Sequence, residues 1–212
     1  MGKIDFGPLQ QHHWSQGDAT GWFEPAYAQA NGDRGAIPWS EKGINPHLLD
    51  FPLEGHGLTA LVVGCGLGDD AEYLASRGFA VTAFDISPTA IDWCRQRFPQ
   101  SSVTYLAADL FQNSLQAFDF VLEAHTLQAL PRPLRARAVA AIAGLVRHRL
   151  LVICRGCDQP EPNEEIPWPL TPAELSGFPA AGLSESSFED FHDQKDPPRR
   201  RFRIDYHRPV SV

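Results

Sequence analysis

The chain has 212 residues, a length that suits one α/β domain with elaborations and not two full domains. Hydrophobic residues make up 43% and charged residues 21%, ordinary proportions for a globular protein with a sizeable core. The formal net charge of −8 argues against sequence-independent nucleic-acid binding, which needs a basic surface.

No apolar stretch approaches the roughly 20 residues of a membrane span. The opening Met1-Gly2-Lys3-Ile4-Asp5 lacks the apolar core of a signal peptide, and Phe6 breaks the myristoylation pattern. Cytoplasmic residence without a membrane partner is the expectation. Residues 1–57 are rich in Gly, Pro, Trp and His with weak periodicity, and predict an irregular segment with short helices over 22–29 and 46–51. His12-His13-Trp14 lies in this segment with no partner ligand and reads as ordinary surface.

From residue 59 the pattern becomes regular. An apolar strand over 59–63 ends in Gly64-Cys65-Gly66-Leu67-Gly68, and a helix is predicted over 69–77. A second strand over 80–84 runs into Asp85, then Ser87 as N-cap and Pro88 as first helical residue open a helix to about 98. A third strand over 103–107 leads to Asp109, and a fourth over 118–122 leads to Glu123 and His125. An alanine-rich helix is predicted over 133–148 and a fully apolar fifth strand over 150–154. Residues 160–172 are proline-rich, Thr171 caps a short helix over 172–178, and 183–191 and 200–207 alternate as two late antiparallel strands. Within the last, Arg199, Arg200, Arg201 and Arg203 read as a solvated strand face. Regular β-α alternation predicts a parallel sheet with helices on both faces.

Four cysteines, at 65, 94, 154 and 157, make no disulfide framework in a chain of this size. Cys154 and Cys157 form a C-x-x-C pair but lack two further ligands at short spacing, so no metal is expected. Ligands of open α/β sheets sit outside the carboxyl ends of the strands. The candidates are therefore the glycine turn, Asp85, Asp109, the stretch from Glu123 to Thr126, and Arg155.

Glycines let bare backbone approach a ligand. Asp85, 21 residues after Gly64, can accept hydrogen bonds from both hydroxyls of a ribose, so the pair points to an adenosine-containing cofactor. A dinucleotide fingerprint counted from Gly64 needs a small third residue at 69, where Asp69 stands beside Asp70. Two acids would repel a pyrophosphate at that helix start. A phosphate-free cofactor carrying a sulfonium and an amino group, S-adenosylmethionine (SAM), tolerates them. A purely structural glycine turn, a non-catalytic SAM-binding protein and an NAD(P)-dependent oxidoreductase remain as alternatives.

Over residues 59–155 the chain resembles class I SAM-dependent methyltransferases. The motifs are Gly64-Cys65-Gly66-Leu67-Gly68-Asp69, Phe84-Asp85-Ile86-Ser87-Pro88, Ala108-Asp109-Leu110 and the run from Phe118 to Glu123. The resemblance implies a three-layer Rossmann-like, mostly parallel seven-stranded sheet with a C-terminal antiparallel strand pair. It forms one domain, with residues 1–57 as a lid, 58–157 as cofactor-binding core and 158–212 as substrate loop and closing strands. It implies that Gly64, Cys65, Gly66 and Gly68 hold the methionine part, Asp85 and Ile86 the ribose, and Asp109 and Leu110 the adenine. Glu123 would lie near the sulfonium or the substrate.

A closer resemblance is to the thiopurine methyltransferase-like branch, with its thiol, halide and tellurite-resistance enzymes. Thr20-Gly21-Trp22 with residues 37–43, residues 164–171, and 188–191 with 199–203 carry it. It implies lid tryptophans at Trp39 and Trp22, a small-molecule acceptor such as a thiol, halide or chalcogen, and a monomer or weak dimer. The branch's arginine near position 124 has no counterpart, because Ala124 stands there. For an oxygen or nitrogen acceptor His125 is the best-placed general base, the alternative being a loop histidine bonded to backbone. The acceptor pocket is expected from residues 10–45, 125–130 and 155–172.

Overall fold

A computed structural model describes residues 4–40, 43–159 and 168–210. Residues 41–42 and 164–167, which fall within the branch-like stretches, lie outside the described residues. Five parallel strands, β1 (Thr59–Val63), β2 (Ala80–Asp85), β3 (Thr104–Ala107), β4 (Phe118–Ala124) and β5 (Val146–Arg155), form the body of the sheet. Two more, β6 (Ser184–His192) and β7 (Arg200–His207), complete it antiparallel, in the order β3-β2-β1-β4-β5-β7-β6. The expected seven-stranded mixed sheet is the observed one. Strand order reverses between β1 and β4, which opens a crevice at their carboxyl ends.

Helices α1 (Gly7–Ser15), α2 (Phe23–Ala30) and α3 (Pro46–Leu49) precede the sheet. α4 (Asp69–Ser76), α5 (Pro88–Arg97) and α6 (Arg132–Gly144) connect its strands, and α7 (Pro172–Leu175) and α8 (Gly177–Ala180) precede β6. On one face Ala71 and Leu74 of α4 and Ile91 and Cys94 of α5 pack against Val62, Ala83 and Leu122. On the other, Val139 and Ile142 of α6 and Phe178 of α8 pack against Leu61, Val121, Leu150 and Ile204. Burying one such Leu, Ile or Phe side chain contributes about 1.5–3 kcal/mol, and the parity of each strand decides which layer receives it.

Local chemistry sets the helix starts. The Ser87 side chain accepts from Ala90 N at 3.0 Å with Pro88 at the first position. Thr171 and Glu174 form a reciprocal capping box on α7. The helix expected to reach residue 148 ends at Gly144 instead, because residues 146–149 are drawn into β5. Phe118 N donates to Leu145 O at 2.8 Å, and Arg147 pairs with Asp119 at 2.8 Å beside the start of β4. The N-terminal segment is more helical than expected: α1 buries no residue, so it carries no hydrophobic periodicity to read. No helix among the described residues is long and apolar enough to cross a membrane.

Candidate functional site

A cavity of about 600 Å³ opens at the carboxyl ends of β1, β2, β4 and β5, within the usual range for small-molecule sites. The glycine turn forms its floor. Gly64 and Gly68 have φ of +60° and +86°, and a Cβ on either would run into Thr126 or Tyr105 respectively. Only glycine combines that backbone with that approach. Cys65 N donates to Phe84 O at 2.8 Å and Gly66 N to Asp85 Oδ2 at 2.9 Å, so the turn is tied to the end of β2.

Asp85 is 7% exposed and its other oxygen accepts from Ser87 N at 3.0 Å. The carboxylate thus spans the glycine turn and the start of α5. The carboxylate keeps lone-pair capacity beyond its backbone donors, and the residue lines the cavity. Burial pushes its pKa above the ordinary carboxylate value, opposed by the N–H groups of Ser87, Gly66 and Ile86. Gly64, Cys65, Gly66, Gly68, Ile86, Asp109 and Leu110 also line the cavity, as expected of strand-end residues. Asp109 is fixed by accepting from Phe111 N at 2.8 Å.

The N-terminal segment covers the opposite wall. Trp39 lines the cavity, donates from Nε1 to Tyr27 Oη at 3.1 Å and meets Trp22, Phe23 and Tyr27 edge-on. Trp22 does not line it. At 1% exposure it is the centre of the aromatic cluster behind Trp39, which corrects its expected lid role. Three residues of the segment fasten it to α4 and to the start of α5. Glu24 accepts from Ser87 Oγ at 2.5 Å and Thr89 Oγ1 at 2.6 Å, Asn45 N donates to Asp70 at 2.7 Å, and Arg34 pairs with Asp69 at 3.2 Å. Asp69 also pairs with Arg97 at 2.7 Å. The two acids are therefore partnered, and their contribution is to hold the N-terminal wall, not to present bare negative charge against a phosphate.

Past β4 the chain turns sharply. His125 adopts φ of +70° and lines the cavity, its N–H donating to Ile153 O at 3.1 Å. Its Nδ1 lies 2.8 Å from Oε1 of Gln128, a fully buried side chain that sequence reading missed. The amide orientation of Gln128 follows from its other partners: Oε1 accepts from Arg155 N at 2.8 Å and Nε2 donates to Trp168 O at 2.9 Å. Against that acceptor Nδ1 carries the proton of the neutral imidazole, and Nε2 carries the lone pair.

Glu123 departs from expectation. It is 0% exposed and does not line the cavity. Strand alternation turns it toward the face that Val121 occupies, beneath the 125–128 turn. There Oε1 accepts from Leu127 N at 2.9 Å, while Oε2 has no partner among the described residues. Burial raises its pKa to about 7, opposed by the backbone N–H groups of Leu127 and Thr126.

The basic run also differs from a solvated strand face. Arg201 is 3% exposed, pairs through Nε with Asp193 at 2.9 Å, and lines the cavity with Arg155, Lys195 and Arg199. Arg200 and Arg203 pair with Asp190 and Glu189 across the β6–β7 strands, at 2.7 Å each. Residues 195–201 thus join the expected pocket segments; no local motif marks them, since their placement depends on β7 returning beside β5. Among the described residues no group of three His, Cys, Asp or Glu is arranged to hold a metal ion, and the four cysteines form no disulfide.

Residues 60–149 match a family described as a methyltransferase domain. The chain is 35% identical over 83 residues to a magnesium-protoporphyrin O-methyltransferase of Rhodobacter capsulatus, a stretch covering 38% of this chain and 37% of that protein. Among solved structures it resembles magnesium protoporphyrin IX methyltransferase from Synechocystis with bound SAM. The TM-score is 0.66 at 17% identity, over 88% of this chain and 95% of that one. A TehB-like SAM-dependent methyltransferase from Corynebacterium glutamicum matches at TM-score 0.63 and 21% identity, over 88% and 98%. Likeness at such identities shows the fold.

Proposed function

We infer that the chain, whose residues 60–149 match a methyltransferase domain, moves a methyl group from SAM to a small-molecule acceptor held beside His125. The observation that carries the reading is Asp85, which bridges Gly66 N and Ser87 N and faces the same cavity as the glycine turn. The residues fit the cofactor. Gly64, Gly66 and Gly68 line the cavity with left-handed backbone at φ of +60°, +53° and +86°, Asp85 offers acceptor lone pairs to ribose hydroxyls, and Asp109 and Leu110 line the cavity for the adenine.

When bound, the cofactor supplies an electrophilic methyl group on a sulfonium; the protein supplies position, dryness and proton handling. Trp39 and the latched N-terminal segment exclude water, which strengthens every polar contact inside. His125, its tautomer set by Gln128, takes at Nε2 the proton that an acceptor hydroxyl, amine or thiol must lose. Glu123 holds the turn bearing His125 from beneath, through Leu127 N. A halide has no proton to lose, so this arrangement favours a protic acceptor. That suits both the thiol chemistry of the thiopurine methyltransferase-like branch and the oxygen acceptor of the relative named as an O-methyltransferase. Soluble cytoplasmic residence, as a monomer or weak dimer, completes the reading.

Calorimetric titration with SAM, S-adenosylhomocysteine, NAD and NADP tests it. SAM and S-adenosylhomocysteine are expected to bind, with S-adenosylhomocysteine appearing on turnover with phenol, amine or thiol acceptors. Binding of a nicotinamide cofactor without SAM refutes it.

A further inference from the structure

We propose that the methyl acceptor is an organic molecule bearing a carboxylate, gripped by Arg199 and Arg201 in the half of the cavity next to β5 and β7. The proposal rests on the methyltransferase reading. Charge along the cavity is segregated by strand order. The acids that line it, Asp69, Asp70, Asp85 and Asp109, all end or follow β1, β2 or β3. The bases, Arg155, Lys195, Arg199 and Arg201, all come from the end of β5, the β6–β7 return or the start of β7. His125, after β4, stands between the two halves.

In a chain of net charge −8, basic side chains gather at one end of one cavity, and two of them, Arg199 and Arg201, form the grip. The arrangement is built. Arg155 and Arg201 sit directly opposite each other in the β5–β7 register, a like-charge placement that destabilises a strand pair. Asp193, itself 7% exposed, organises the group. Its Oδ2 accepts from Arg201 Nε at 2.9 Å, and its Oδ1 accepts from Arg199 N at 2.9 Å and Lys195 N at 3.2 Å. One carboxylate thus sets the loop and orients Arg201 by Nε alone. Among the described residues the terminal nitrogens of Arg201 and the guanidinium of Arg199 have no acceptor, although both residues line the cavity. An arginine fork presents paired N–H groups that match a carboxylate. Among the described residues no carboxylate meets those nitrogens, so a ligand carboxylate complements them, and the acid-lined half suits the cationic cofactor.

The competing occupant is the cofactor's own amino-acid carboxylate, and the experiment separates the two. Full-length protein is titrated calorimetrically with S-adenosylhomocysteine, and the complex then with 2-mercaptobenzoate or 2-mercaptobenzamide. The carboxylate is expected to bind at least about tenfold more tightly than the amide, the effect of one charge-assisted hydrogen bond. Arg199→Ala should remove most of that preference and Arg199→Lys restore part of it, with S-adenosylhomocysteine affinity unchanged. Equal binding of acid and amide overturns the proposal while leaving the methyltransferase reading intact. Loss of S-adenosylhomocysteine affinity in Arg199→Ala overturns it by assigning the cations to the cofactor. Failure of the unaltered protein to bind S-adenosylhomocysteine overturns the underlying reading and the proposal with it.

Discussion

Glu123→Gln is the most discriminating substitution for the buried side of the site. In the folded protein burial lifts the Glu123 carboxyl from its ordinary 4.5 to about 7. Because the folded pKa lies above the unfolded one, the stability it contributes is fully present below about pH 4.5 and is lost as pH rises through about 7. At 1.36 kcal/mol per pKa unit, full ionisation costs about 3 kcal/mol, and the group is 0% exposed, so solvent does not screen the effect. Glutamine keeps Oε1 as the acceptor for Leu127 N and places a neutral amide where the orphaned Oε2 lies. The melting temperatures of the two proteins should therefore nearly coincide near pH 4.5 and diverge by pH 8, with the variant higher by roughly 6–12 °C. Thermal unfolding followed by circular dichroism across that range measures it. A difference that stays constant with pH refutes the placement of Glu123 as a buried, weakly satisfied acid.

Two further outcomes follow from the same geometry. Asp85→Asn keeps the shape but places an amide against one of two backbone donors and removes the charge offered to the cofactor. SAM affinity by calorimetry should fall roughly 10- to 100-fold, and a change within threefold would remove Asp85 from the cofactor site. Gln128→Glu keeps an acceptor for His125 Nδ1 and Arg155 N but adds a charge beside the ring, so it should stabilise the imidazolium. The acidic limb of the kcat/KM profile should move up by about one pH unit. An unmoved limb would show that His125 is not the group that takes the proton.

How far the sequence reached depended on whether the deciding interaction was local. β1 and the apolar part of β5 are contiguous runs, and Ser87-Pro88 marks a helix start that needs no tertiary partner. Once strand ends are located, the topology itself brings Gly64, Asp85, Asp109 and His125 to one crevice. Val146, Arg147 and His148 carry no strand signal of their own. Their conformation is decided by β4 and by Asp119, so the helix pattern overran. Glu123 was misplaced although the signal was available: it shares parity with Val121, and period-two alternation turns it away from the cavity. Gln128 gave no such signal, since its role depends on partners up to 40 positions away.

Asp69 and Asp70 show how an observation can outlast the reason first attached to it. They stand at the start of α4 beside the glycine turn, and each is committed to a contact with the N-terminal wall or with Arg97. The acid half of the cavity is therefore structural in part: it fastens the N-terminal wall. The basic half is fixed separately, by Asp193 within the β6–β7 return. Because the two halves are anchored by different carboxylates on different elements, the acceptor half can change without disturbing the glycine turn. Acceptor preference should accordingly be alterable at Arg199, in that return, while Asp85 and the glycines continue to set cofactor affinity.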